Sequence, residues 1–169
     1  MSLAMTKSRF CRPWAGAEML EISETRLDAS ALLTAFERQA DGAGGIVTFT
    51  GQVRPVSASG DVQTLFLQAY SPMTENGINA AITEAEKRWP LTAVSVAHRT
   101  GEMSPGDTIV FVATASAHRR AAFEAADFLM DYLKTAAVFW KRETTDAGST
   151  WIEPRAADYD DATRWDNPS

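Results

Sequence analysis

The stretch from Thr108 to Leu133 limits the folds open to this chain more than any other. Thr108 to Ala115 is a mostly apolar run (IVFVATA) of strand length, which predicts a strand buried on both faces. Ser116 can cap a helix beginning just after it. Phe123, Ala126, Met130 and Leu133 then share one stripe, widened by Leu129, so the chain continues as a long amphipathic helix.

The other elements are shorter. Leu20 to Arg26 alternates like a short strand, and Asp28 or Ser30 can cap a helix carrying Leu32, Leu33 and Phe36. Ile46 to Val53 is the clearest strand, and Gly51 within it predicts a bulge or a close approach of another segment. From Arg54 to Asp61 the small residues read either as a substrate lid or as a solvated hairpin connection. Val62 to Tyr70 is a strand, and Met73 to Trp89 is a helix with Ile78, Ala81, Ile82 and Ala85 on one face, stopped by Pro90. Thr92 to Arg99 is a further strand. Val138 to Thr144 and Thr150 to Arg155 form a hairpin around the DAGS turn. Most strand connections are too short for parallel crossovers, which predicts an α+β fold with a largely antiparallel mixed sheet.

One domain over residues 18–155 suits a chain of 169 residues. Residues 1–17 lack periodicity and read as a flexible leader, beginning with a probable cloning remnant at Met1-Ser2-Leu3. Residues 156–169 read as a polar tail that a partner would order. A net charge of -6 argues against general nucleic-acid binding, which needs a dominant positive surface. No apolar run approaches a membrane span, and no secretory signal is visible, so the expected compartment is the cytoplasm. Cys11 is the only cysteine, which excludes an internal disulfide and fits reducing surroundings. His98 and His118 lack partners at metal-binding spacing, so neither a metal nor a resident cofactor is expected.

Against this acidic background two groups of cations stand out. His118 and Arg119 occupy the first turn of the long helix, where free N–H groups and the dipole already favour an anion. They read either as a phosphate grip or as a solvated arginine beside a half-buried histidine. Lys134 closes the same helix, and Lys141 comes next on an alternating segment, sharing a face with Phe139 and Glu143 while Trp140 and Arg142 take the other. If folding brings the two amines about 6 Å apart, their repulsion is roughly 2.8 kcal/mol at an effective dielectric near 20. The helix dipole opposes this by only about 0.3–1 kcal/mol. Repulsion wins, and one amine is expected to lose its proton near pH 8, ready to act as base or nucleophile.

With these residues assembled, the chain resembles the large subunit family of molybdopterin synthase, the MoaE family. The matching segments are GGIVTFTGQVR (Gly44 to Arg54), LQAY with MTE (Leu67 to Glu75), the RWPL to HR-G run (Arg88 to Gly101), AHRRAAFEAADFLMDYLKT (Ala117 to Thr135), FWKRE (Phe139 to Glu143) and WIEPR (Trp151 to Arg155). The resemblance implies an α/β-hammerhead-like fold and a homodimer. Each subunit would bind a small ubiquitin-like sulfur carrier, the MoaD-like subunit, in a heterotetramer. It implies sulfur transfer from the carrier's C-terminal thiocarboxylate to cyclic pyranopterin monophosphate, forming the molybdopterin dithiolene. Lys134 and Lys141 match the family's two active-site lysines. Gln52, Val53, Arg54, His118, Arg119, Arg142, Glu143 and Arg155 match its substrate-binding segments. The family usually has Pro where this chain has Val138, and Gly-like residues where it has Pro72. The alternative function is a non-catalytic docking module for a ubiquitin-like partner with a small-anion site. Keeping both lysines favours the enzyme, because docking alone needs neither amine.

Overall fold

The computed structural model describes residues 20–166. The expected leader, with Cys11, lies outside them. In chain order the elements are β1 (Leu20–Ser23), α1 (Ala29–Glu37), β2 (Gly45–Gln52), β3 (Val56–Ser57), β4 (Gly60–Ala69), α2 (Met73–Arg88), β5 (Leu91–Arg99), β6 (Gly101–Met103), β7 (Thr108–Ser116), α3 (Arg119–Thr135), β8 (Phe139–Thr145), β9 (Gly148–Ile152) and α4 (Ala156–Thr163).

The apolar run at Thr108 is the middle of the molecule. A four-stranded sheet has the order β1-β5-β7-β2, antiparallel except for the parallel β1–β5 pair. Side chains alternate across β7, and both faces are covered. Val110 and Val112 join Val94, Val96, Ile78, Ile82, Phe128, Leu129 and Leu133 under α2 and α3. Phe111, Ala113 and Ala115 pack with Leu32 and Phe36 of α1 on the opposite face. Burying each large aliphatic side chain there contributes roughly 1.5–3 kcal/mol. The hydroxyl of Thr114, wholly buried, donates to the Ala122 carbonyl at 2.7 Å, so the polar atom is matched where β7 meets α3.

A second sheet has the order β3-β4-β8-β9, with β6 also paired to β4. Its inner face holds Val53, Val62, Leu65, Leu67 and Met103. The mixed, largely antiparallel α+β architecture read from the sequence is therefore the one observed, divided between two sheets.

Two local expectations need correction, and one pair of open readings is decided. Ser116 does not cap α3: it is the last residue of β7, and its hydroxyl donates to the Pro90 carbonyl at 2.8 Å. His118 occupies the N-cap instead, without a side-chain capping bond. The Arg54–Asp61 stretch is a hairpin, because β3 pairs directly with β4. The polar residues from Ala156, expected to order against a partner, are held by the chain itself. Arg164 bonds Asp127 and Asp131 of α3, while the Trp165 ring packs edge-on against Trp89 and Phe128. Their polar appearance concealed a C-terminal anchor made of one indole and one guanidinium.

Candidate active site

The two sheets and the end of α3 enclose a cavity of about 470 Å³, well within the size range of small-molecule sites. Lys134 comes from the last turn of α3, and Lys141 and Glu143 from the inner face of β8. Gln52, Val53 and Arg54 come from the end of β2, and Arg155 and Asp158 from the start of α4. His98, at the end of β5, completes the wall.

Each contributor has a local reason for its position. The bulge expected at Gly51 is present as a register shift between Gly51 and Gln52. An added Cβ at Gly51 would sit 2.7 Å from Val110 Cγ1, so this strand crosses the core closely. Beyond it, Val53 exchanges backbone bonds with the turn before β7, donating to the Asp107 carbonyl and accepting from Gly106 N–H. Arg54 thus starts from a fixed backbone although its side chain is exposed.

Lys134 and Lys141 are joined by a tight turn in which the Ala136 and Ala137 N–H groups both donate to the Tyr132 carbonyl. Thr74 donates to the Val138 carbonyl at 2.7 Å. The turn is thereby pinned at its carbonyls and does not depend on a proline at Val138. On β8, Lys141 lies opposite Leu67 and Ile152, two apolar neighbours. The amine's pKa is lowered chiefly by burial, then by the Lys134 charge, while Asp158 partly offsets both. Repulsion was expected to dominate. Desolvation is the larger cause, because Lys141 roots on a sheet's inner face whereas Lys134 ends an exposed helical turn.

Asp158 binds Arg155 through backbone and side chain, with contacts at 2.9 and 3.1 Å. These bonds to Arg155 hold its carboxyl below the usual carboxylate range, with a smaller contribution from Lys134. Ser57 Oγ donates to Glu143, fixing that carboxylate at the cavity edge. His98 is deeply buried, and its pKa is pushed down to about 4 by desolvation; a backbone bond at Arg99 partly opposes this, and the Lys141 charge adds to the lowering. The site therefore holds two amines and two guanidiniums against three carboxylates, Glu143, Glu153 and Asp158, with one neutral imidazole.

A model of the MoaE protein family matches residues 22–136. The molybdopterin synthase catalytic subunit of Escherichia coli (strain K12) is 53% identical over 129 residues, covering 76% of this chain and 85% of that protein. Among solved structures, the MoaE protein from Burkholderia ambifaria superposes with a TM-score of 0.75 at 36% identity, covering 90% of this chain and all of that one. Molybdopterin synthase from Staphylococcus aureus superposes at 0.73 with 28% identity, covering 80% and 98%. The chain belongs to the MoaE family.

Within this MoaE chain the expected site residues divide into three groups. Lys134, Lys141, Gln52, Val53, Arg54, Glu143 and Arg155 line the one cavity, and the Val53 side chain also belongs to the core beneath it. His118 and Arg119 do not reach it. They line a separate depression of about 580 Å³ with Gly44, Ala117, Arg120 and Phe123 at the other end of α3. At about 1.5 Å per residue, Arg119 and Lys134 stand about 22 Å apart along the helix. Arg142 is on the outer face of β8, its guanidinium 5.2 Å from the Phe66 ring centre and 5.6 Å from that of Trp151. That face is aromatic: Trp140 packs between Tyr70 and Trp151. The alternation of β8 already separated Arg142 from Lys141. His98 and Asp158 were not among the expected site residues. The HR pair ending an apolar strand was visible for His98, but Asp158 sat in a stretch read as tail. Among the described residues no group of three His, Cys, Asp or Glu side chains could hold a metal ion, and no helix is long and apolar enough to cross a membrane.

Proposed function

We propose that this chain is the catalytic subunit of a cytoplasmic molybdopterin synthase, acting on cyclic pyranopterin monophosphate with sulfur brought by a small ubiquitin-like carrier. The observation that carries the reading is the meeting of Lys134, Lys141, Arg54 and Arg155 in one cavity of an otherwise acidic protein. Both reactants are anions, and these four side chains supply the cationic part of the wall. Sulfur delivered on another molecule is consistent with a lining that, among the described residues, holds no cysteine. In each transfer the thiocarboxylate sulfur bonds to a side-chain carbon of the pterin as an oxygen substituent leaves that carbon. Water then cleaves the carrier's carbon–sulfur bond, so the carrier leaves as an ordinary carboxylate and the sulfur stays on the pterin. Lys141, half-buried and near a second cation, is the amine best placed to give up its proton. Lys134, at the exposed mouth, meets the tail first.

The same reading includes a homodimer. His118 and Arg119 form a cationic site that a single chain keeps about 22 Å from its own lysines. A second copy can present them to the neighbouring cavity.

Purified protein mixed with thiocarboxylated carrier and the cyclic pterin is expected to yield the dithiolene. A folded protein that gives none sinks the synthase reading and leaves the docking module. Lys134→Ala is expected to cut turnover by about a thousandfold while carrier affinity stays within about tenfold, since chemistry needs the amine and docking rests mainly on area. Single-turnover product formation and calorimetric carrier binding separate the two.

A further inference from the structure

Neither the family resemblance nor the proposed reaction gives His98 a task, yet it is a buried polar side chain on the wall of the reacting cavity. Two contacts fix its ring. Nδ1 lies 3.0 Å from the Arg99 carbonyl oxygen. A carbonyl has no proton to give, so Nδ1 carries the hydrogen and the neutral ring keeps its lone pair on Nε2. The ring also stacks on Phe139, with centroids 4.1 Å apart and planes 20° from parallel. With one edge taken by Arg99 and one face by Phe139, the Nε2 edge is the part left for the cavity.

Phe139 is two residues before Lys141 on β8, so both side chains leave the same face of the strand. The imidazole therefore stands beside the root of the lysine, close enough for the lysine's charge to be felt at the ring. Lys141 itself enters no hydrogen bond or ion pair among the described residues. It is a half-buried donor on a flexible stem, and the wall of the same cavity carries a fixed acceptor.

We propose that His98 is a positioning residue for Lys141, a neutral imidazole whose Nε2 lone pair accepts from the lysine amine and aims it into the cavity. This deepens the synthase reading, on which the importance of Lys141 rests. A neutral acceptor suits the task better than a carboxylate: it holds the amine while restoring only a small part of the proton affinity that burial removes. The other ionisable groups facing Lys141 are Lys134 from α3, Glu143 on its own strand, Arg54 beyond β2, Glu153 just after β9, and Arg155 and Asp158 from α4. Of these, Lys134 and Asp158 act on it in opposite senses, and neither supplies a directed neutral acceptor.

The test reads the amine rather than turnover, so it survives failure of the synthase assignment. Full-length protein is labelled competitively at its lysines across pH 6–11, with Lys87 on the exposed side of α2 as internal reference. His98→Phe keeps an aromatic ring for the stack but removes the acceptor. The ammonium then loses its partner, the Lys141 midpoint falls by about half a unit, and labelling at pH 8 rises about threefold. His98→Gln, which can return an acceptor near the Nε2 position, is expected to restore most of the wild-type midpoint. An unchanged midpoint in folded His98→Phe, or an equal shift in both variants, overturns the proposal. Should His98→Phe not fold, nitrogen NMR of the wild-type imidazole decides: the Nδ1–H tautomer at pH 7 supports it, and the Nε2–H tautomer or an imidazolium overturns it.

Discussion

Single residues show how burial, more than net charge, sets the chemistry of this protein. Lys141 and His98 are both bases, and both have their pKa lowered, because each is rooted on an inner sheet face where the charged form loses water. For His98 the consequence for stability has a definite sign. The folded pKa is about 4, against an ordinary value of 6.5, so the unfolded chain takes up a proton first as the pH falls. The stability that depends on the neutral ring is complete above pH 6.5 and drains away toward pH 4. A shift of that size corresponds to about 3 kcal/mol. Urea titrations of the wild type are expected to show this loss on its own only between pH 6.5 and about 5, because the carboxylates held below their ordinary values of 3.8 and 4.5 add theirs at lower pH. In His98→Phe the loss between pH 6.5 and about 5 is expected to be largely absent. An equally steep fall in the variant would assign the acid sensitivity to another group.

Elements were readable in proportion to how much of their environment is local. The long helix, the two-faced strand β7 and the bulge at Gly51 were visible because apolar period and glycine placement are properties of neighbouring residues. Lys134 and Lys141 were visible as site residues for a related reason, since one short turn separates them. The cap of α3 was misread because Ser116 still belongs to β7, so its hydroxyl, while donating to the distant Pro90 carbonyl, accepts from the His118 N–H rather than from the first turn of the helix. The α4 contribution was missed because Asp158 acquires its meaning only when Trp165 and Arg164 fold back onto α3. Gly44 belongs to this second kind, and nothing near it in sequence explains it. Its amide donates to the Ser116 carbonyl, and an added Cβ would fall within contact-forbidden distance of the Ala117 carbonyl oxygen, which is backbone and cannot step aside. Gly44→Ala is therefore expected to cost about 2 kcal/mol or more by pushing β2 away from the start of α3. Equilibrium unfolding measures it, and a change below about 0.5 kcal/mol would mean that the junction yields freely.

At the scale of the whole molecule the two cation groups pose a geometric problem that one chain does not solve. α3 is a rigid 17-residue spacer with His118 and Arg119 at its start and Lys134 at its end. Shortening that distance would require breaking the helix whose Phe128, Leu129 and Leu133 anchor the main core. If both groups serve one reaction, they must belong to different copies. Mixing two inactive variants tests this. Dimers are formed from equal amounts of Lys134→Ala and Arg119→Ala chains after dissociation and reassembly. Suppose Arg119 acts across the interface. Each mixed dimer then contains one cavity in which intact Lys134 meets intact Arg119, and one in which both are lost. Random pairing makes half the dimers mixed, so about a quarter of wild-type activity returns. If Arg119 instead serves its own chain, every cavity in the mixture carries one lesion and activity stays at the level of the separate variants. Recovery thus reads the geometry directly, without requiring that either residue's chemical role be known first.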